Sequence, residues 1–181
     1  MPKRSWTISS GWIAAIAGLM ALAIYLTMIL FTLPHIEAIT GLRPFDMRPL
    51  GYSPADAATL LEALGPEGRA YYLGQQIPLD MLYPGLLAVT LVATGRWFGQ
   101  KMPGSGLQRW GAAFAVVAAL CDYAENLGII AMVTTSPQVP ATLIYASSTA
   151  TVAKSALTTL AVMAVVVSGT RWVLRTRLAR P

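Results

Sequence analysis

A single cysteine, Cys121, and a single histidine, His35, stand in a chain of 181 residues. One thiol excludes an internal disulfide, a CxxC redox pair and a thiolate metal cage, and with them the disulfide-forming membrane oxidoreductases. One imidazole excludes multi-histidine metal sites and most histidine-ligated haem schemes. Charge is scarce as well, at 12% of residues against 55% hydrophobic, and the mean hydropathy is +0.57. A soluble domain carries about twice that share of charge, so the composition argues for lipid as the main solvent. Internal repeats and low-complexity tracts are absent. The turn at 102–106 is not the GxSG of intramembrane serine proteases, which also need a histidine within the membrane.

Long apolar runs are what the chain has in abundance. A helix needs about 20 mainly apolar residues at ~1.5 Å each to cross a ~30 Å hydrocarbon layer. Four stretches qualify, residues 12–33, 79–98, 110–133 and 143–170. The expected fold is therefore all-α: one integral membrane domain over residues 1–181, a four-helix transmembrane bundle with a short helical extracytoplasmic loop, residues 34–78, between helices 1 and 2. The spans leave no room for a separate soluble catalytic domain. Lys3 and Arg4 precede the first apolar run, which is too long for a signal-peptide core and has no A-x-A site after it, so it reads as a retained helix.

The thirteen basic residues decide orientation. Lys3, Arg4, Arg96, Lys101, Arg109, Arg171, Arg175, Arg177 and Arg180 flank the spans with no acid among them. The first loop sets Arg43, Arg48 and Arg69 against Glu37, Asp46, Asp56, Glu62 and Glu67, and the last loop is uncharged. This pattern puts both termini on the cytoplasmic side of the membrane and the long loop outside. The net charge of +5 thus records insertion and contact with anionic lipid, and excludes a nucleic-acid surface. Trp97, Trp110 and Trp172 read as an interfacial belt.

Within the outer loop, Ser53-Pro54-Ala55-Asp56 has the form of a helix start, and Gly65 ends that helix, giving a short helix over 54–64. Leu60, Leu61 and Leu64 give it an apolar side, which suits a helix lying on the membrane face or capping the bundle. Pro66-Glu67 starts a second helical run that leads through Tyr71 and Tyr72 into the second span.

Four charges fall inside the spans. Asp80 is 16 residues from Arg96, Glu125 is 16 from Arg109 and Lys154 is 17 from Arg171, so all three lie ~24–26 Å from the inner boundary, with Asp122 one turn deeper. Helical spacing extends each into a stripe: Arg69, Tyr72, Gln76, Asp80 and Tyr83; then Asp122, Glu125 and Asn126; then Ser147, Thr151, Lys154 and Thr158. Turning such stripes to lipid costs several kcal/mol per charge, so they must face one another in the outer third of the bilayer. Three carboxyls against one lysine require a proton on at least one carboxyl, Arg69, or a bound cation for balance. Asp80, Asp122 and Glu125 could cage a hard cation, but DxxxD and ExxH spacings are missing, so no metal and no cofactor is expected. Cys121 reads as a small apolar filler, His35 as an exposed loop residue, and Gly11, Ala14, Ala15, Gly18 and Ala21 as helix-packing positions.

The strings Phe45-Asp46-Met47-Arg48-Pro49-Leu50-Gly51-Tyr52-Ser53, Leu60-Leu61-Glu62-Ala63-Leu64-Gly65, Gly68-Arg69, Asp80-Met81-Leu82-Tyr83-Pro84 and Asp122-Tyr123-Ala124-Glu125-Asn126, with Lys154, resemble a family of uncharacterised four-helix bacterial membrane proteins. The resemblance covers most of the chain from residue 45 onward and implies a shared fold and polar site, with no activity attached. In architecture the chain is also similar to the emopamil-binding and sigma-2 receptor group, small bundles with a long first luminal loop and acidic residues in a pocket for sterols or cationic amphiphiles. Lys154 and the Asp122, Glu125, Asn126 face depart from that group.

Three functions are compatible with the stripes. The first is a pocket that binds or acts on a lipid or amphiphilic small molecule. In an enzyme Asp122 or Glu125 would be the acid/base, Asp80 its charge partner and Lys154 an electrostatic stabiliser, with Tyr83 and Asn126 orienting the ligand and Arg69, Tyr72, Gln76 and Thr151 lining it. The second is a proton- or cation-coupled transporter, against which stand the lack of a duplicated half and of polar residues below Asp122. The third is a structural or partner-binding subunit whose charges only fix packing. Membrane lipids are the expected partners, and oligomerisation stays open.

Overall fold

The computed structural model describes residues 9–102 and 106–178. Lys3, Arg4, Arg180 and most of the 102–106 turn lie outside the described residues. Six α-helices account for nearly all of the rest: α1 Ser10–Thr27, α2 Leu33–Thr40, α3 Pro54–Tyr71, α4 Ile77–Lys101, α5 Leu107–Thr135 and α6 Ala141–Leu178. No strand occurs among the described residues. Four stretches are long and apolar enough to cross a membrane: Ser10–Thr40, Pro54–Lys101, Leu107–Thr135 and Ala141–Leu178. The protein is an all-α four-helix bundle of multi-pass membrane character. Trp12, Leu19, Leu30, Phe31, Leu120, Leu127, Met163 and Val166 turn outward, an apolar girdle compatible with a lipid surround.

Two prolines shape the path of the chain. Between α1 and α2 the helix widens into a π turn at Met28–Thr32, and between α3 and α4 it does so again at Tyr72–Gln76. Pro34 and Pro78 follow directly, each lacking an N–H and crowding the carbonyl four residues back, at Leu30 and Gly74, so the helix takes in an extra residue rather than break. The two widened turns face each other. Thr32 donates its hydroxyl to Gln76 Oε1, and Gln76 Nε2 lies 3.5 Å from Met28 Sδ.

A capping box starts α3: Ser53 Oγ accepts from Asp56 N at 3.1 Å and Asp56 Oδ2 accepts from Ser53 N at 2.9 Å. At Gly65 the backbone leaves the helical region (φ 55°, ψ −171°) and Pro66 restarts it, a turn in the left-handed region that favours glycine. Leu60, Leu61 and Leu64 join one buried cluster with Ile36, Phe45, Tyr52, Tyr72, Ile129, Met132 and Ile144. Of the two placements open to it, the outer-loop helix takes the second and caps the bundle.

Helix α5 is the most enclosed of the four spans. It packs on α6 and α4, while α1 packs chiefly on α4. Close approach depends on small residues: a Cβ on Gly128 would sit 2.7 Å from Ser147 Cβ, and one on Gly111 would sit 2.8 Å from Ala164 Cβ. At the end of the bundle away from α3, Trp97 and Trp172 meet edge-on with centroids 5.4 Å apart, and Lys101 Nζ lies 4.6 Å from the Trp97 ring.

Candidate functional site

Because α1 leans on α4 and α6 on α5, a cavity of about 220 Å³ is left between α1 and α6, floored by α4 and α5. One wall is apolar, from Tyr25, Met28, Ile29, Leu33 and Leu87. The other is polar, from Asp46, Gln76, Asp80, Tyr83, Asp122, Lys154, Ser155 and Thr158.

Lys154 is the centre of the polar wall. Its Nζ is 2.9 Å from Asp122 Oδ1 and 2.6 Å from Glu125 Oε2. Helical spacing makes this fork, since Asp122 and Glu125 lie three residues apart on α5 and present both carboxylates to one ammonium on α6. Glu125 is fully buried. One turn before Lys154, the buried Thr151 hydroxyl donates to Ser147 O at 3.1 Å. Asn126 ties α5 to α4 by donating from Nδ2 to the main-chain carbonyl of Asp80 at 3.0 Å. Tyr83 stacks on Tyr25 across the cavity, centroids 5.7 Å apart.

The structure thus brings Asp80, Asp122, Glu125, Lys154, Gln76, Tyr83, Asn126 and Thr151 to one level. Arg69 is elsewhere. Its guanidinium donates to Ser136 O at 3.2 Å, Ser136 Oγ at 3.0 Å and Leu61 O at 3.0 Å, so it fastens α3 to the α5–α6 connector and supplies none of the cavity's charge balance. The reason is the π turn at Tyr72–Gln76: one extra residue rotates everything beyond it by about 100° relative to a regular helix, so Arg69 and Asp80 no longer share a face. His35 is exposed and lies against Tyr71, centroids 4.2 Å apart, away from the cavity.

Asp46 is a cavity residue that helix periodicity could not find. It sits on a single 3₁₀ turn, Phe45–Met47, in the outer loop, yet it lines the cavity and accepts a hydrogen bond from the fully buried Tyr72 hydroxyl. Phe45 seats the turn; it is completely buried, 4.7 Å from Tyr52 and 6.3 Å from Tyr72 between centroids. Tyr52 is pinned in turn, donating its hydroxyl to Ser147 Oγ at 2.8 Å and its N–H to Ser148 Oγ at 2.8 Å. Burial pushes the Tyr52 hydroxyl up to about 12, so it remains a neutral donor across physiological pH. The only signal in the sequence is an aromatic-acid pair held between Pro44 and Pro49.

Four carboxyls therefore face one lysine. Among the described residues no three His, Cys, Asp or Glu side chains converge closely enough to hold a metal ion. The site can pair an ammonium with carboxylates, hold a proton on an unpaired acid, and offer hydroxyl and amide groups beside an apolar wall. No family model matches the chain, and neither the curated proteins nor the solved structures compared with it yield a match.

Proposed function

We propose that this is a bacterial inner-membrane protein, with both termini cytoplasmic, whose cavity binds or acts on a lipid or amphiphilic small molecule in the outer third of the bilayer. The observation that carries the reading is the mixed lining of the cavity, with apolar side chains mostly from α1, the Met28–Thr32 turn and α2, and ionisable ones from the Phe45–Met47 turn, α4, α5 and α6. A molecule with a hydrocarbon part and a polar head satisfies both walls at once; water or a bare ion satisfies one. In a catalytic version Asp122 or Glu125 exchanges a proton with the ligand, Asp80 and Lys154 set the field, and Tyr83 orients it. The resemblance to uncharacterised four-helix bacterial membrane proteins, and in architecture to the emopamil-binding and sigma-2 receptor group, agrees with a polar pocket inside a small bundle.

The inner half of the bundle favours a dead-ended pocket over a transport path. Below Asp122 the buried helix positions are Ala119, Ala118, Ala115 and Gly111 on α5, Ala161 and Ala164 on α6, Ala93 and Gly95 on α4 and Ala17 and Ala21 on α1, with Ser168 the single buried polar residue there among those described.

The test is photo-crosslinking in membranes carrying a photoactivatable phospholipid. Crosslinks are expected at Tyr25, Tyr83 and Ser155 in the parent protein and are expected to vanish in the charge-neutral variant Asp122→Asn, Glu125→Gln, Lys154→Met while that variant stays folded. Crosslinks confined to the outward faces of both proteins would leave the cavity with no lipid-binding role. A variant that cannot fold would favour a purely structural cluster, and flux following a proton gradient in proteoliposomes would favour transport.

A further inference from the structure

At the end of the bundle away from α3, a groove of about 430 Å³ opens between α1, α4 and α5. It shares no lining residue with the charged cavity. Its walls are apolar, from Ile13 on α1, Val89, Val92 and Ala93 on α4, and Val116 on α5. Ile13, Val89 and Val116 are exposed, so the groove opens sideways to whatever surrounds the bundle. From Ala88 to Arg96 it follows ~12 Å of α4. At one end its lining turns polar, with Arg96 and Ser10; Gln100 Nε2 lies 3.5 Å from Ser10 Oγ, which sets the start of α1 beside the last turn of α4.

Charge at this end has one sign. The chain's eight acids all fall on residues 37–80 and 122–125, and the ion pairs among the described residues are those of Lys154 alone. Arg96 is exposed and pairs with no carboxylate there. Lys101 lies over the rings of Trp97 and Trp172, 4.6 and 5.9 Å from their centroids, so Arg96 is the cation that lines the groove. Ser10 opens α1, whose first turn has no acid, and the positive end of that helix dipole adds to the same field.

We propose that this groove binds one anionic phospholipid, with an acyl chain laid along Ile13, Val92 and Val116 and the phosphate held by Arg96 and the Ser10 hydroxyl. An apolar slot that ends on an unpaired guanidinium matches a molecule with a hydrocarbon chain and an anionic head, and a guanidinium meets phosphate through paired N–H donors. A zwitterionic lipid offers the same chain and phosphate but adds an ammonium, which a uniformly basic end repels. Because the groove is open to the side, its lipid exchanges with the bilayer and is read by titration rather than by co-purification. The site uses none of the cavity's residues and stands whatever that cavity binds.

The experiment titrates purified full-length protein with phosphatidylglycerol, or with phosphatidylcholine of the same acyl chains, and counts added lipid by native mass spectrometry. The first phosphatidylglycerol is expected to bind more tightly than the first phosphatidylcholine. Arg96→Gln is expected to weaken it about fivefold, the factor that one arginine contact with an anionic lipid surface implies. Arg175→Gln removes an exposed charge from α6, which does not line the groove, and is expected to bind as the parent does. Equal binding of the two lipids by the parent overturns the proposal. So does an equal loss in the two arginine variants, which a diffuse basic surface would give, or no loss in either. A second reading uses the unsubstituted protein and is free of folding defects: phosphatidylglycerol carrying a diazirine on its acyl chain is expected to crosslink to Ile13, Val92 or Val116, and crosslinking that misses all three overturns the site.

Discussion

At the residue scale the pivotal group is Lys154, because two buried carboxylates depend on it. Removing it strands Asp122 and Glu125 without a counter-charge in a largely buried site. Lys154→Met is therefore expected to destabilise the protein by about 3–5 kcal/mol, the usual cost of breaking a buried ion pair from one side. The triple variant Asp122→Asn, Glu125→Gln, Lys154→Met removes the whole cluster and is expected to recover most of that loss, since a neutral, well-packed replacement is often no less stable than the pair. Unfolding of the two variants in detergent against the parent, by heat or denaturant, checks this; a triple variant as unstable as Lys154→Met would contradict it. The same residues show what a sequence makes visible. Asp80, Asp122, Glu125 and Lys154 stand out because a charge within an apolar run has few physical outlets, and helical spacing then states which neighbours share its face. Asp46 has no such context. Its placement depends on Phe45 and Tyr52 burying themselves against the outer ends of α5 and α6, a tertiary event with no local period.

At the scale of elements, spacing rules hold only while the helix stays regular. The stripe from Arg69 to Tyr83 assumes a uniform turn, and the π turn before Pro78 breaks it between Arg69 and Asp80. The matching π turn before Pro34 brings Thr32 and Met28 round to Gln76, a contact that neither helix announces alone. By contrast the α5–α6 pair is regular, and the Asp122, Glu125 and Lys154 fork appears as the spacing implies. That pair relies on a close approach at Gly128, where an added Cβ would lie 2.6 Å from Ser147 Oγ and 2.7 Å from its Cβ. Gly128→Ala is expected to cost about 1–3 kcal/mol by forcing the helices apart. It should also loosen the Tyr52–Ser147 hydrogen bond above. Thermal unfolding measures the first effect, and limited proteolysis of the outer loop the second; an Ala variant indistinguishable from the parent in both would show that the helices can give way there.

At the scale of the whole molecule, four long apolar helices set the architecture. Apolar spans, one half tightly packed through small residues, and a segment between α2 and α4 that folds down as a cap combine to enclose charge toward the capped end of the bundle. Four carboxyls around one lysine are a costly thing to keep inside a membrane, and the proposed amphiphilic ligand would account for that cost. The most direct measurement is native mass spectrometry of the purified protein beside its charge-neutral triple variant. The account predicts that the parent carries one tightly held lipid or amphiphile per chain, distinct from bulk lipid, and that the variant, equally folded, carries none. A parent that flies bare, or with the same adducts as the variant, would contradict it.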